Sequence, residues 1–145
     1  MATALFMGAM LAPRTGAAEG ALAVGMPANV ARMGFAYGSS LNSATMAKAR
    51  AGAIDGCRGA LGNASADLRK LCKVVATFRN QCFAVAMDPA DGTPGVGWAI
   101  AENQEMADRE AIEQCRTTAG STRQQFCTLD VQAGARSRGC DGAAK

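Results

Sequence analysis

The residues best equipped for chemistry in this chain are six cysteines, at 57, 72, 82, 115, 127 and 140. Metal binding, thiol exchange and structural cross-linking compete for them. The chain has no histidine and no C-x-x-C pair, so zinc ligation lacks its usual donors and spacing. The same gap removes a thioredoxin-like redox motif. An even count in a chain of 145 residues predicts three disulfides instead, the reinforcement used by small domains in oxidising compartments. No metal site and no cofactor is expected.

Without histidine, Ser-His and Cys-His nucleophile pairs are excluded. Ser40 or Ser43 with Lys48 leaves a formal Ser-Lys arrangement, but helix capping explains those serines better. Asp88 and Asp91 share a segment and could act as a carboxylate pair in hydrolysis. The same residues, with Gly92 between Pro89 and Pro94, also read as ordinary turn chemistry. They lack the spaced oxygen ligands of a calcium loop. Gly95-Val96-Gly97 is a lone G-x-G with no helix directly after it, a weak phosphate-loop signal. No catalytic residue is predicted.

Charge gives a better lead. Between 48 and 79 stand seven basic residues (Lys48, Arg50, Arg58, Arg69, Lys70, Lys73, Arg79) against Asp55 and Asp67. Between 88 and 113 stand seven acidic residues (Asp88, Asp91, Glu102, Glu105, Asp108, Glu110, Glu113) against Arg109. The bland explanation is two solvated helix faces of opposite sign. The sharper one is a bipolar surface that grips a charged partner or a second copy, as a homodimer. Arg50, Arg58, Arg69 and Lys70 are the expected binding residues. Trp98, the single tryptophan, is either an exposed binding anchor or a core residue. The whole chain has 15 basic and 12 acidic residues, no footprint for nucleic acid.

The elements that must position these residues come in two sets. Ala21-Leu22-Ala23-Val24-Gly25 is echoed by Cys82-Phe83-Ala84-Val85-Ala86, and Gly34-Phe35-Ala36-Tyr37-Gly38 by Gly97-Trp98-Ala99-Ile100-Ala101. Ala49, Ala53, Ile54, Cys57 and Arg58 match Ala107, Ala111, Ile112, Cys115 and Arg116 at one constant offset, and Cys72-Lys73-Val74-Val75 matches Cys127-Thr128-Leu129-Asp130. Each unit reads strand, strand, helix, strand, over about 20–79 and 82–141. Helices are expected near 43–58 and 103–118, with Asn103 as an N-cap, and third strands near 72–79 and 126–133. The expected fold is α+β: one mainly antiparallel sheet from both units, two packed helices and three disulfides.

At the N-terminus, the apolar run Ala2 to Ala12 is followed by Pro13, Arg14 and the small residues Gly16, Ala17 and Ala18, the layout of a secretory signal, though no Lys or Arg precedes it. Residues 1–18 are expected to be this signal-like segment and 19–145 a single domain. The run is too short to span a bilayer, and no transmembrane segment is expected.

The order A-V, G-aromatic-A, A-x3-A-x3-C, C-x-V-V, then C-x-A-V-A and a second A-x3-A-x3-C with a closing cysteine resembles a bacterial secreted family, domain of unknown function family 4189, over about residues 20–141. The chain departs from that pattern in a longer, more charged segment 59–71 and in Phe35, where a bulkier aromatic is expected. The resemblance implies export and this fold; it carries over no functional residues.

Six cysteines allow fifteen pairings. The repeat treats Cys57 and Cys115 as equivalents, likewise Cys72 with Cys127 and Cys82 with Cys140. If Asn80-Gln81 is a tight turn, Cys72 lies a strand length from Cys82, roughly 20 Å and beyond disulfide reach. Cys57 ends its helix just before the strand that opens at Cys72. The expected bonds are therefore Cys57–Cys72, Cys115–Cys127 and Cys82–Cys140. The functional expectation is a secreted or periplasmic, non-enzymatic binding module for a protein or an anionic envelope polymer. Its rival is a small carboxylate-dependent hydrolase of the envelope.

Overall fold

The computed structural model describes residues 18–59, 64–129 and 136–145. Residues 1–17 of the signal-like segment lie outside the described residues, as do 60–63 of segment 59–71 and 130–133 of the expected last strand. The first half runs β1 (Glu19–Gly25), a short helix α1 (Val30–Met33), β2 (Ala36–Ser43), α2 (Met46–Arg58), α3 (Ala66–Lys70) and β3 (Lys73–Phe78). The second runs β4 (Cys82–Met87), β5 (Val96–Ala101), α4 (Gln104–Ala119), a 3-10 turn at Gln124–Phe126 and β6 (Arg138–Cys140). The protein is α+β, and among the described residues the strands form two three-stranded antiparallel sheets, ordered β2-β1-β3 and β5-β4-β6.

Alternation along the central strands explains the stacking. In β1, Ala21 and Ala23 join one cluster and Leu22 and Val24 another. In β4, Cys82, Ala84 and Ala86 face one way and Phe83 and Val85 the other. Each small-residue face lies under a helix: Ala49, Ala53 and Cys57 of α2 cover the first, and Ala107, Ala111 and Cys115 of α4 the second. The large-residue faces meet between the sheets, where Leu22, Val24, Tyr37 and Phe78 pack with Phe83, Val85 and Val96. The layers therefore run α2, sheet, sheet, α4.

Close helix–sheet approach needs glycine at two points. A Cβ on Gly38 would lie 2.1 Å from the Cys57 nitrogen, and one on Gly97 2.4 Å from the Ala111 oxygen. Gly95 likewise lies against Ala119. The Gly95-Val96-Gly97 motif is thus a packing feature. The N-caps are Thr45, which accepts from the Lys48 amide at 3.2 Å, and Asn103, which accepts from Met106 at 3.0 Å. Ser40 and Ser43 do not cap α2; their hydroxyls hydrogen-bond each other at 2.9 Å in β2.

The disulfides join Cys57 to Cys72, Cys82 to Cys140 and Cys115 to Cys127. Two correspondences read from the sequence need correcting. Val24 faces Tyr37 and Val85 faces Trp98, so the register gives Trp98 the counterpart Tyr37, not Phe35. Cys82 faces Cys140 directly, whereas Ala21 faces Thr77, so the counterpart of Cys140 is Thr77 rather than Cys82. Nor do β3 and β4 form a hairpin. Asn80, at φ 51°, turns the chain from one sheet to the other.

The last strand also differs from expectation. Gly120, at φ 77°, ends α4, and the Cys115–Cys127 bond holds the following 3-10 turn beside that helix. Thr128 then forms an isolated bridge with Met87, and among the described residues the strand that pairs with β4 opposite β5 is β6. After β6 the chain docks on the first half. Buried Asp141 accepts from the Asn42 amide at 2.6 Å, and the Gly142 and Ala143 amides donate to Asn42 and Asn80 at 3.0 and 3.1 Å.

Candidate binding site

Arg58, Arg69 and Lys70 come together around one open depression of about 360 Å³, which Ala66 also lines. Three local features put them there. Arg58 is the last residue of α2. Ser65 caps α3 by accepting from the Leu68 amide at 3.1 Å, and this single turn buries Leu68 while leaving Arg69 and Lys70 exposed. The Cys57–Cys72 bond, between the residues adjoining Arg58 and β3, fixes the end of α2 against the end of α3.

Charge in the depression is only partly compensated. Lys70 pairs with Asp67 at 3.0 Å, with both side chains at least three-quarters exposed, an arrangement worth little in water. Arg58 and Arg69 form no ion pair among the described residues. Two guanidiniums and an ammonium around one concavity suit an anionic group, because guanidinium offers forked donors to carboxylate, sulfate or phosphate. Arg50 is exposed two turns earlier on α2 and does not line the depression.

Trp98 is not part of this site. It lies half-buried in β5 on the inter-sheet layer, stacked on Phe35 with ring centroids 6.1 Å apart. Phe35 in turn stacks on Tyr37 at 6.1 Å. Tyr37 is buried, its hydroxyl has no partner among the described residues, and burial pushes its pKa up to about 12.

A second concavity, of about 370 Å³, lies between α1 and the β4–β5 loop and contains Asp88 and Asp91. Asp88 is buried and held by Arg123, which donates from Nε to one carboxylate oxygen and from Nη2 to the other at 2.9 Å. The Ala90 amide adds a third donor at 3.1 Å. These bonds, the Arg123 one foremost, hold the Asp88 carboxyl below its usual range despite burial. A general acid needs a raised pKa and a free oxygen, and Asp88 has neither. Its geometry is that of a clamp joining the β4–β5 loop to the loop after α4. Arg123 lies 35 residues from Asp88, and no local sequence pattern marks such a pair.

Among the described residues, no helix is long and apolar enough to cross a membrane. The family model for a domain of unknown function, DUF4189, matches residues 20–133. Neither a curated protein nor a solved structure matches the chain.

Proposed function

This chain belongs to the DUF4189 family, a domain of unknown function, and we propose that it is an exported, non-enzymatic binding module whose Arg58, Arg69 and Lys70 grip an anionic partner in the periplasm or outside the cell. The observation that carries this reading is the convergence of three exposed cations from two helices on one concavity, with two of them unpaired among the described residues. Three disulfides support an oxidising compartment. The commitment of Asp88 to Arg123 argues against carboxylate-dependent hydrolysis.

Retention on immobilised dextran sulfate tests the reading, with neutral dextran as the blank. Reversing Arg58, Arg69 and Lys70 to glutamate is expected to abolish retention, whereas reversing Arg32, Arg109 and Lys145 changes net charge equally and is expected to leave most of it. Equal loss from both triple variants would show that net charge alone is responsible and would end the proposal.

A further inference from the structure

The layer order places α2 and α4 on opposite outer faces, and the two faces differ in sign. On the α2–α3 side, Lys48, Arg50, Arg58, Arg69 and Lys70 are exposed against Asp55 and Asp67. On the α4 side, Glu102, Glu105, Glu110 and Glu113 are exposed and Asp108 is half-buried, against Arg109, Arg116, Arg138, which pairs with Asp108, and Lys145, whose carbonyl accepts from the Gln104 amide, so this face stays acidic by one charge. At about 10 Å per layer the helices stand on the order of 30 Å apart, several times the Debye length of about 8 Å at physiological salt. The two faces therefore do not neutralise each other within one molecule. Glu102, Glu105 and Glu110 form no ion pair among the described residues, like Arg58 and Arg69 across the molecule.

We infer that the α4 face of a second copy is a partner for the α2–α3 basic face, so that copies associate head to tail. This rests on the basic face being a binding surface, as proposed above. Symmetry selects the geometry. A two-fold dimer through either face sets like charge against like, while a head-to-tail contact sets basic against acidic. Such a contact uses a different face on each copy and leaves one of each free, so it does not close at two. Its ion pairs are exposed, which makes the association weak and strongly salt-dependent.

Sedimentation velocity on the disulfide-intact protein is the test. Near 0.01 M salt, where the Debye length is about 30 Å, the weight-average mass is expected to climb with protein concentration; raising salt should return it to the monomer. Two variants sharpen the result: one with Arg58, Arg69 and Lys70 reversed to glutamate, the other with Glu102, Glu105 and Glu110 reversed to lysine. Each alone is expected to stay monomeric, and their equimolar mixture to recover association, because each supplies the face the other has lost. A circular dichroism spectrum matching the parent establishes that each variant is folded, and the salt dependence of the unaltered protein stands independently of both. Wild-type protein that stays monomeric at low salt, or a mixture that fails to recover, overturns the inference. Retention on dextran sulfate is read separately, so a monomeric protein that still binds the polymer sinks this contact alone.

Discussion

Replacing Gly97 with alanine adds one methyl group where α4 crosses β5. The new Cβ would lie 2.4 Å from the Ala111 oxygen, 2.5 Å from the Cys115 nitrogen and 2.7 Å from the Gln114 Cβ, while ordinary contact begins near 3.4 Å. Two of these atoms are helix backbone, so no side-chain rotation relieves the overlap and α4 must withdraw by about 1 Å. A gap of that size forfeits a quarter to a half of each dispersion contact under the helix, where Ala107, Ala111 and Cys115 are fully buried. Overpacking of this kind costs about 1–3 kcal/mol. In a loosely packed strand the sign would be opposite, since alanine is favoured over glycine there by roughly 0.5–1 kcal/mol. For a domain of this size the expected fall in Tm is about 3–10 °C, read by thermal unfolding with the disulfides intact. An unchanged or higher Tm would refute the close helix–sheet contact.

Three further outcomes are expected. Tyr37 is the single tyrosine, so near-ultraviolet tyrosinate absorbance reports it alone. The folded protein should ionise near pH 12 rather than 10, with about 2–3 kcal/mol of stability, present below pH 10, lost as pH rises between those values; ionisation at pH 10 in folded protein would contradict its burial. Because Asp88 titrates below its usual range, its contribution is present above the unfolded carboxyl pKa and lost as pH falls through the folded one. Asp88→Asn should therefore lower Tm at pH 7 and flatten the acid limb of a stability–pH curve, and an unchanged limb would contradict the clamp. Removing the Cys82–Cys140 bond, which closes a separation of 58 residues, should cost about 4 kcal/mol, against about 3 for the Cys57–Cys72 bond at 15 and the Cys115–Cys127 bond at 12. Chemical denaturation of paired Cys→Ala variants checks that order, which fails if either short-loop variant is the least stable.

What could be read from the sequence was what depends on neighbours along the chain. The short apolar runs Ala21 to Gly25 and Cys82 to Ala86 marked strands, and the four-residue spacing of Ala107, Ala111 and Cys115 marked a helix face. Asn103 was legible as a cap because capping is local. The division into two sheets was not legible, because it is set by pairing between strands far apart in the chain, β3 with β1 and β4 with β6. Strand β6 was hidden by its length: Arg138–Cys140 is three residues including a glycine, too short for a period-two pattern. Of the predicted site, Arg58, Arg69 and Lys70 share a depression because a disulfide folds α2 back against α3. Arg50 resembles them only in charge and Trp98 only in being a typical binding residue, and neither property carries position.

The Arg58, Arg69 and Lys70 depression is the proposed binding surface. Titrating isotopically labelled protein with short dextran sulfate oligomers, and following amide and arginine Nε signals by NMR, tests it most directly. The account predicts saturable shifts centred on Arg58, Arg69 and Lys70, weakening as salt rises, with the groove around Asp91 unmoved. Shifts spread evenly over every exposed cation, or centred on the β4–β5 loop, would contradict it.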